Sequence, residues 1–422
     1  MWKSSTDLWQ HRDFTKFWAG QTISVFGDNV ALIAIPLAAT VSLNASVSQM
    51  GILTAASRLP WLIVGLFAGV WVDRLRRRPV LLVSDLLRAL LIAIIPIAAA
   101  IGLLRIELLY CVSFLAGMVG VFFDVAYHAY LPSLVPRTRL VEGNGKLQTS
   151  ETIAQVAGPG LGGVLVQVLT APFALIADSL SFLASAISLI LIRTQEDASI
   201  PRHERFGFQT EVKEGLRHVF GSQTLRAIVA GGGIHNFTTS IFTTVFVVYV
   251  TRELAMSAAV FGVILAIGSI GSVLGALVAH RIASVIGIGP AVVVAQFITV
   301  AGALFYPVAA GSQIISIVLL SVGQIIWGFS RPVFNINQVS LRQGLTPDRL
   351  LGRMTASIRF LMWGVSPIGG IVGGILGSSL GLRKTLIIVI LGELTSAIWL
   401  LASPMMRMRE QPQLEHESIV AE

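Results

Sequence analysis

The stretch GVWVDRLRRRP, residues 69–79, places one aspartate and four arginines between two long apolar runs. The run before it is WLIVGLFA, 61–68, and the run after it begins with VLLV, 80–83. Basic residues concentrate in the loops on one side of a membrane, so a cluster of charged residues of this kind is typical of a short loop between two spanning helices.

The composition of the whole chain supports a membrane protein. The chain has 422 residues, of which 54% are hydrophobic and only 12% are charged, whereas soluble domains carry roughly 25% charged residues. A mean hydropathy of +0.79 excludes a soluble globular protein. We therefore attribute the net charge of +8 to membrane topology, with no nucleic-acid partner. The single cysteine, Cys111, excludes an intrachain disulfide.

Twelve segments are long and apolar enough to cross a bilayer, which takes about 20 residues. They are 15–40, 48–72, 79–103, 107–131, 143–169, 171–192, 224–250, 257–282, 289–310, 313–337, 354–380 and 384–404. The longest polar break, 193–226, lies near the middle of the chain. Its part 206–220 has the pattern of an amphipathic helix at a membrane surface.

The basic residues are distributed unevenly over the two sides of these segments. With both termini on the same side, 22 of the 30 lysines and arginines lie on that side and 4 on the other. The positive-inside rule then places both termini in the cytoplasm.

The two halves of the chain also repeat each other. GVWVDR at 69–74 recurs in altered form as GALVAHR at 275–281, and PGLGG at 159–163 recurs as PIGG at 367–370. We predict an all-α integral membrane protein whose twelve transmembrane helices form two six-helix bundles, related by a pseudo-two-fold axis along the membrane normal. The predicted units are a first bundle (1–192), a cytoplasmic linker with the amphipathic helix (193–223), a second bundle (224–405) and a cytoplasmic tail (406–422).

The charged loop resembles the loop between helices 2 and 3 of the major facilitator superfamily, G-x-x-x-D-R-x-G-R-R/K, although Arg76 replaces the second glycine. The run GPGLGG at 158–163 resembles the motif of the superfamily's antiporters. FWAGQTISVFGD (17–28), VSDLLRA (83–89) and TPDRLLGR (346–353) are similar to the bacterial macrolide and multidrug efflux branch. The resemblance covers essentially the whole chain.

This resemblance implies a monomeric secondary transporter of a bacterial inner membrane. It would export hydrophobic or amphipathic small molecules in exchange for protons, by alternating access. A carrier of siderophores or lysophospholipids, an uptake symporter, and a sensor or scaffold without transport activity are the alternatives.

The resemblance assigns the charged loop the role of a conformational latch. Asp73 would face the positive end of a helix of the other half when the cytoplasmic side closes. The residues of this predicted latch are Gly69, Asp73, Arg74, Arg77 and Asp124. Gly158, Pro159, Gly162 and Gly163 form the predicted antiporter motif, which would bend and pack against the eighth span.

Ionisable residues inside a membrane span are costly and usually functional. We predict that Asp28, in the middle of the first span and with only Asn29 as a local polar partner, is the main protonation site, and that Asp178 is a second. A carboxyl group buried without a cation takes up a proton more readily, and a cationic or polar substrate would displace that proton. The alternative is a fixed ion pair of Asp28 with Arg58 or Arg331. Asp85 and Arg88, three residues apart, would neutralise each other.

A further set of polar and aromatic residues is a candidate lining of the substrate cavity: Asn29, Arg58, His235, Asn236, Gln324, Trp327 and Arg331. A structural histidine, bonded within the protein, is the more frequent role for a residue such as His235. Glu393, in the last span, has the pattern of a packing residue.

The enzyme motifs that we considered are absent or incomplete. Residues 158–163 fit G-x-G-x-x-G, but no strand precedes them and a proline follows the first glycine. Lys146 is followed by leucine, which excludes a P-loop, and neither H-E-x-x-H nor G-x-S-x-G occurs. We therefore expect no catalytic activity, cofactor or metal.

If Asp73 holds the cytoplasmic side closed, the substitution Asp73→Asn should lower transport without preventing folding. We expect the population open to the cytoplasm to rise, because the charge that faces the helix dipole is lost. Spin-label distances across the cytoplasmic mouth measure this population. An unchanged distance distribution together with normal transport would refute the latch.

Overall fold

The computed structural model describes residues 8–72, 75–136, 139–194, 208–347 and 350–410, and within these ranges it contains helices but no strand. The latch residues Asp73 and Arg74 lie outside the described residues. Eleven segments of the described chain are long and apolar enough to span a membrane. The second predicted span, 48–72, is not among these eleven, but the 26-residue helix Val47–Val72 occupies its position.

Six long helices form the first half of the chain: α1 Arg12–Leu37, α2 Val47–Val72, α3 Arg77–Ala100, α4 Ile106–Leu134, α5 Leu140–Leu169 and α6 Ala171–Leu191. The short helix α7, Phe208–Gly221, lies in the predicted linker. The second half contains α8 Gln223–Val248, α9 Ala258–Ile286, α10 Ile288–Ala303, α11 Phe305–Val308, α12 Gln313–Gly344, α13 Leu351–Trp363, α14 Ser366–Ser379 and α15 Leu382–Leu401. The all-α fold with twelve spans is confirmed.

Two of the predicted spans consist of two helices each. The ninth span is divided into α10 and α11, and the eleventh into α13 and α14, with a turn at Gly364 and Val365. Pro367 lies in the first turn of α14 and has no N–H group to donate to the carbonyl of Trp363, which favours a break at this point.

The two halves share the same backbone irregularities. A π-helical turn follows the first long helix of each half, at Ala38–Ser42 and at Tyr249–Glu253. Each turn leads to a residue with positive φ, Asn44 at 51° and Ala255 at 48°. Since these features recur at one constant spacing along the chain, they support the internal repeat deduced from the sequence motifs.

Glycines carry the contacts between the halves. α2 packs against α14, where a Cβ atom added to Gly374 would lie 3.1 Å from the Cα atom of Gly51. α5 packs against α9, where a Cβ atom on Gly163 would lie 2.7 Å from the carbonyl oxygen of Ala258. Glycine permits this close approach of two backbones.

These contacts lie in the parts of the helices farthest from the charged loop. At the end of the molecule that carries the loop, which we call the basic end, Asp124 of α4 and Arg359 of α13 are both exposed. Each lies within electrostatic range of the other, but no ion pair joins these two described side chains. From the position of the glycine contacts and from these two exposed side chains, we infer a cleft between the halves that widens toward the basic end.

A single methyl group tests the contact between α5 and α9. Gly163→Ala would force the Cβ atom against the backbone of α9, whereas the Cβ atom of Gly160→Ala would meet Ala266 at 3.6 Å, an ordinary contact. Overpacking of this kind costs about 1–3 kcal/mol. We expect Gly163→Ala to reduce transport by about tenfold.

Gly160→Ala is the matched control, and transport assays on equal amounts of folded protein provide the comparison. Equal activity of the two variants would show that the halves do not depend on this contact.

Candidate coupling site and central cleft

Arg88, in the middle of α3, lies at the centre of a buried charged cluster. Its guanidinium group donates a hydrogen bond to Asp28 of α1 and forms an ion pair with it. The ring of Phe182 lies 4.0 Å from the guanidinium carbon and the ring of Phe123 lies 5.4 Å from it. These aromatic faces stabilise the cation and fix its position.

Three further aspartates act on the charge of Arg88: Asp85, Asp124 and Asp178. Asp85 is fully buried, and its Oδ2 atom accepts a 2.6 Å hydrogen bond from Ser185. Ser185 in turn accepts a hydrogen bond of 2.9 Å from Gln21. One cation is therefore within electrostatic range of four carboxyl groups. Such an excess of carboxyl groups favours a bound proton on at least one of them.

Asp178 of α6 is buried beside α1 and has weak hydrogen bonding. The Ser181 hydroxyl lies 3.5 Å from its Oδ1 atom but donates more closely, at 2.7 Å, to the backbone oxygen of the same residue. Gly27 lets the two helices meet here, since a Cβ atom on Gly27 would lie 2.7 Å from this Oδ1 atom. Asp178 and Asp28 thus lie on either side of one helix contact and act on each other electrostatically.

Asp28 and Arg88 differ in their access to the cleft. The side chain of Asp28 is 40% exposed, while that of Arg88 is 14% exposed. The carboxylate can therefore exchange protons with water while its partner stays enclosed.

The structure corrects the predicted surroundings of Asp28. Its partner is Arg88, so the expectation that only Asn29 offers a polar contact is wrong; the amide of Asn29 donates to the carbonyl of Val25. The alternative partners Arg58 and Arg331 do not bond to Asp28 either. The three-residue spacing of Asp85 and Arg88 suggested mutual neutralisation, but each bonds to a different helix. Ser185 and Gln21 were not foreseen from the sequence.

The predicted latch is described only in part. Gly69 lies within α2, and Arg77 is the first residue of α3. Asp124 is exposed, and Arg88, Asp28 and Arg359 lie within electrostatic range of its carboxylate. The latch role of these residues stays a prediction.

The antiporter motif contacts two helices at once. Gly158 packs against Asn29 of α1, and a Cβ atom on Gly162 would lie 3.3 Å from the Cα atom of Val30. Gly163 and the carbonyl of Pro159 face Gly262 of α9. The packing of the segment against the eighth span is thus observed at Gly163, whereas Gly158 and Gly162 face α1.

Several candidates for the cavity lining have structural partners. The Nδ1 atom of His235 lies 2.8 Å from Oε2 of the buried Glu393, which also accepts hydrogen bonds from Thr238 and Gln296. For His235 the contact with Glu393 supports the structural role. Gln324 is buried against Gly268, and its Nε2 atom has no hydrogen-bond partner among the described residues, so its place in the cavity lining stays a prediction.

The other five candidates keep some exposure. The half-buried ones are Asn29, Arg58, Asn236 and Trp327, and Arg331 is exposed. The guanidinium carbon of Arg331 lies 5.9 Å from the ring centre of Trp327, four residues before it on α12.

Comparison with known proteins adds independent information. A family model described as a transmembrane secretion effector matches residues 4–420. The multidrug efflux pump Tap of Mycolicibacterium fortuitum is 26% identical over 393 residues, which cover 90% of this chain and 93% of the relative. Macrolide efflux protein A of Streptococcus pyogenes is 24% identical over 229 residues, or 54% of this chain and 56% of that protein.

Solved structures share the fold. A bacterial homologue of the iron transporter ferroportin in its inward-facing state superposes with a TM-score of 0.73 at 14% identity, covering 94% of this chain and 99% of the other. A bacterial homologue of ferroportin in its outward-facing state superposes with a TM-score of 0.57 at 15% identity, covering 92% of this chain and 98% of the other. Both likenesses support the shared fold of two six-helix halves.

The close contact of α1 and α6 positions Asp178 beside Asp28, and we expect Gly27→Ala to disturb it. The added methyl group would displace Ser181 and Asp178, at a cost of about 1–3 kcal/mol. Gly120→Ala in α4, where nothing lies within 4 Å of the added atom, is the control. Thermal unfolding of the purified variants in detergent measures the difference, and identical midpoints would contradict the described packing.

Proposed function

The chain belongs to the transmembrane secretion effector family of the major facilitator superfamily, and on this basis we propose that it exports hydrophobic or amphipathic small molecules in exchange for protons. The observation that carries this proposal is the Asp28–Arg88 ion pair, which lies in the middle of the spans and in which the arginine is enclosed while the carboxylate is 40% exposed. The efflux relatives favour export of drugs over uptake or transport of siderophores and lysophospholipids.

The protein would lie in the bacterial inner membrane with both termini in the cytoplasm. The positive-inside rule supports this orientation, because the basic end carries Arg76, Arg77 and Arg78. The cleft would then open to the cytoplasm, the side from which a drug is collected for export.

Proton exchange at Asp28 would begin with the ion pair. Protonation of Asp28 removes its negative charge and weakens its hold on the guanidinium group of Arg88. Arg88 remains in the field of Asp178, Asp85 and Asp124, so its charge is still compensated after Asp28 is neutralised. A small shift of this cation toward Asp178 would therefore accompany each proton that binds, and the reverse shift would accompany its release.

Helix α1 would transmit this change to the contact between the halves. Asn29, the residue after Asp28, lies against Gly158, and the next turn of α1 lies against Gly162. Gly163, on the other side of α5, lies against α9 of the second half. A rotation or shift of α1 at Asp28 would thus act on the antiporter motif through two direct contacts.

The substitution Asp28→Asn tests the coupling. In proteoliposomes with an imposed pH gradient, we expect uphill drug transport to fall by about tenfold or more while downhill exchange of the drug continues. Glu107→Gln is the matched control, because it removes an exposed carboxylate in the first turn of α4, at the end of the helix away from the basic end.

Asp28→Asn also leaves Arg88 without its main partner, which can destabilise a buried cation. The double variant Asp28→Asn/Arg88→Gln removes both charges and separates a folding defect from loss of coupling. Asp28 would not be the coupling residue if folded Asp28→Asn still drove uphill efflux with a normal dependence on pH.

A further inference from the structure

Two arginines in the middle of the spans stand apart from the acidic cluster. Arg58 lies near the middle of α2 in the first half, and Arg331 lies near the middle of α12 in the second half. No described carboxylate is within ion-pair distance of either guanidinium group. Arginine keeps its charge under all physiological conditions, so both groups carry positive charge.

These two charges act on each other across the boundary between the halves. Arg331 lies within electrostatic range of Arg58, although the two residues belong to different bundles. Like charges repel strongly where water is scarce, and an uncompensated ion inside a membrane span is costly. The arrangement would be stabilised by an anion that lies between the two groups.

Three tryptophans lie on the same helices as the two arginines or in contact with them. Trp61 follows Arg58 by one helical turn, and its ring centre lies 6.4 Å from that of Trp363, at the break between α13 and α14. Trp327 precedes Arg331 by one turn on α12 and lies beside its guanidinium group. A bound molecule would therefore meet two cations and at least three aromatic surfaces from both halves.

The acidic cluster makes a cationic substrate less suitable. Asp28, the carboxylate that a cationic drug would use, already pairs with Arg88. A cation at Asp28 would compete with this arginine and would also approach the guanidinium groups of Arg58 and Arg331. We therefore prefer an anionic substrate to the cationic one considered above, while a polar substrate stays compatible with the site.

We propose that Arg58 and Arg331 together bind the anionic group of the transported amphiphile, a carboxylate, sulfonate or phosphate, while Trp61, Trp327 and Trp363 contact its apolar part. Arginine suits this task because its planar group can donate two parallel hydrogen bonds to such an anion. The inference rests on the proposed export function and assigns its substrate a charge. Because one arginine comes from each half, the anion would also draw the halves together.

A matched pair of fluorescent probes tests the assignment. 8-Anilinonaphthalene-1-sulfonate and N-phenyl-1-naphthylamine share their ring system and differ by the sulfonate group. Energy transfer from tryptophan, measured in phosphatidylcholine nanodiscs with empty nanodiscs as background, gives the Kd of each probe. We expect the wild-type protein to bind the sulfonate about tenfold more tightly than the neutral probe.

Arg58→Gln and Arg331→Gln should each abolish this preference by weakening sulfonate binding about tenfold, with binding of the neutral probe unchanged. Arg105→Gln, which removes an exposed arginine at the far end of α4, is the matched control and should behave as the wild type. Arg58→Lys and Arg331→Lys should recover part of the preference, since they restore the charge without the paired donors. Size-exclusion profiles establish that each variant is folded.

The outcomes separate this inference from the export function. Export of the neutral probe from proteoliposomes without any preference for the sulfonate would overturn the anion site and leave the export function standing. Failure of the wild type to export any probe would instead contradict the export function. Phosphatidylglycerol in the nanodiscs is a further competitor. If it displaces the sulfonate probe, and if this displacement requires both arginines, the site binds a lipid headgroup, and the assignment of a soluble substrate is overturned.

Discussion

Compensation of charge inside the membrane is the constraint that organises this protein. The first half holds four aspartates around the single guanidinium group of Arg88, and this group is fixed by Phe182 and by the ion pair with Asp28. In the second half, the buried Glu393 contacts His235, Thr238 and Gln296, and the described residues of this half hold no comparable group of acids. The first half thus carries surplus negative charge that protons can neutralise, a property suited to coupling.

A second constraint is the close approach of backbones at glycine. The contacts at Gly51, Gly163 and Gly374 join the halves away from the basic end and leave the cleft open toward it. The same property places Asp178 beside α1, through Gly27. Small residues therefore set both the state of the cleft and the distance between the two candidate protonation sites, so packing and coupling are parts of one arrangement.

Much of the fold was predictable, because long apolar runs, the bias of basic residues and the two repeated motifs are all local in sequence. The break at Gly364 was missed, because Pro367 within an apolar run does not by itself end a helix; Pro159 lies inside the continuous α5. The aspartates could be listed as candidates, but their partners could not. Asp28 and Arg88 are 60 positions apart and meet only when α1 and α3 both pack against α6.

In the proposed mechanism, two arginines without an ion-pair partner among the described residues would link substrate binding to the movement of the halves. Arg58 and Arg331 belong to different bundles, so their repulsion would oppose closure of the cleft while it is empty. An anion between them would turn this repulsion into attraction to a common partner, and closure would then be favoured only with substrate bound. Protonation of Asp28 acts on a separate cation, Arg88, within the first half alone. Under the proposed function, substrate would govern the approach of the halves, while the proton would govern the packing of α1 on α5, and the two effects would meet at the contact between α5 and α9.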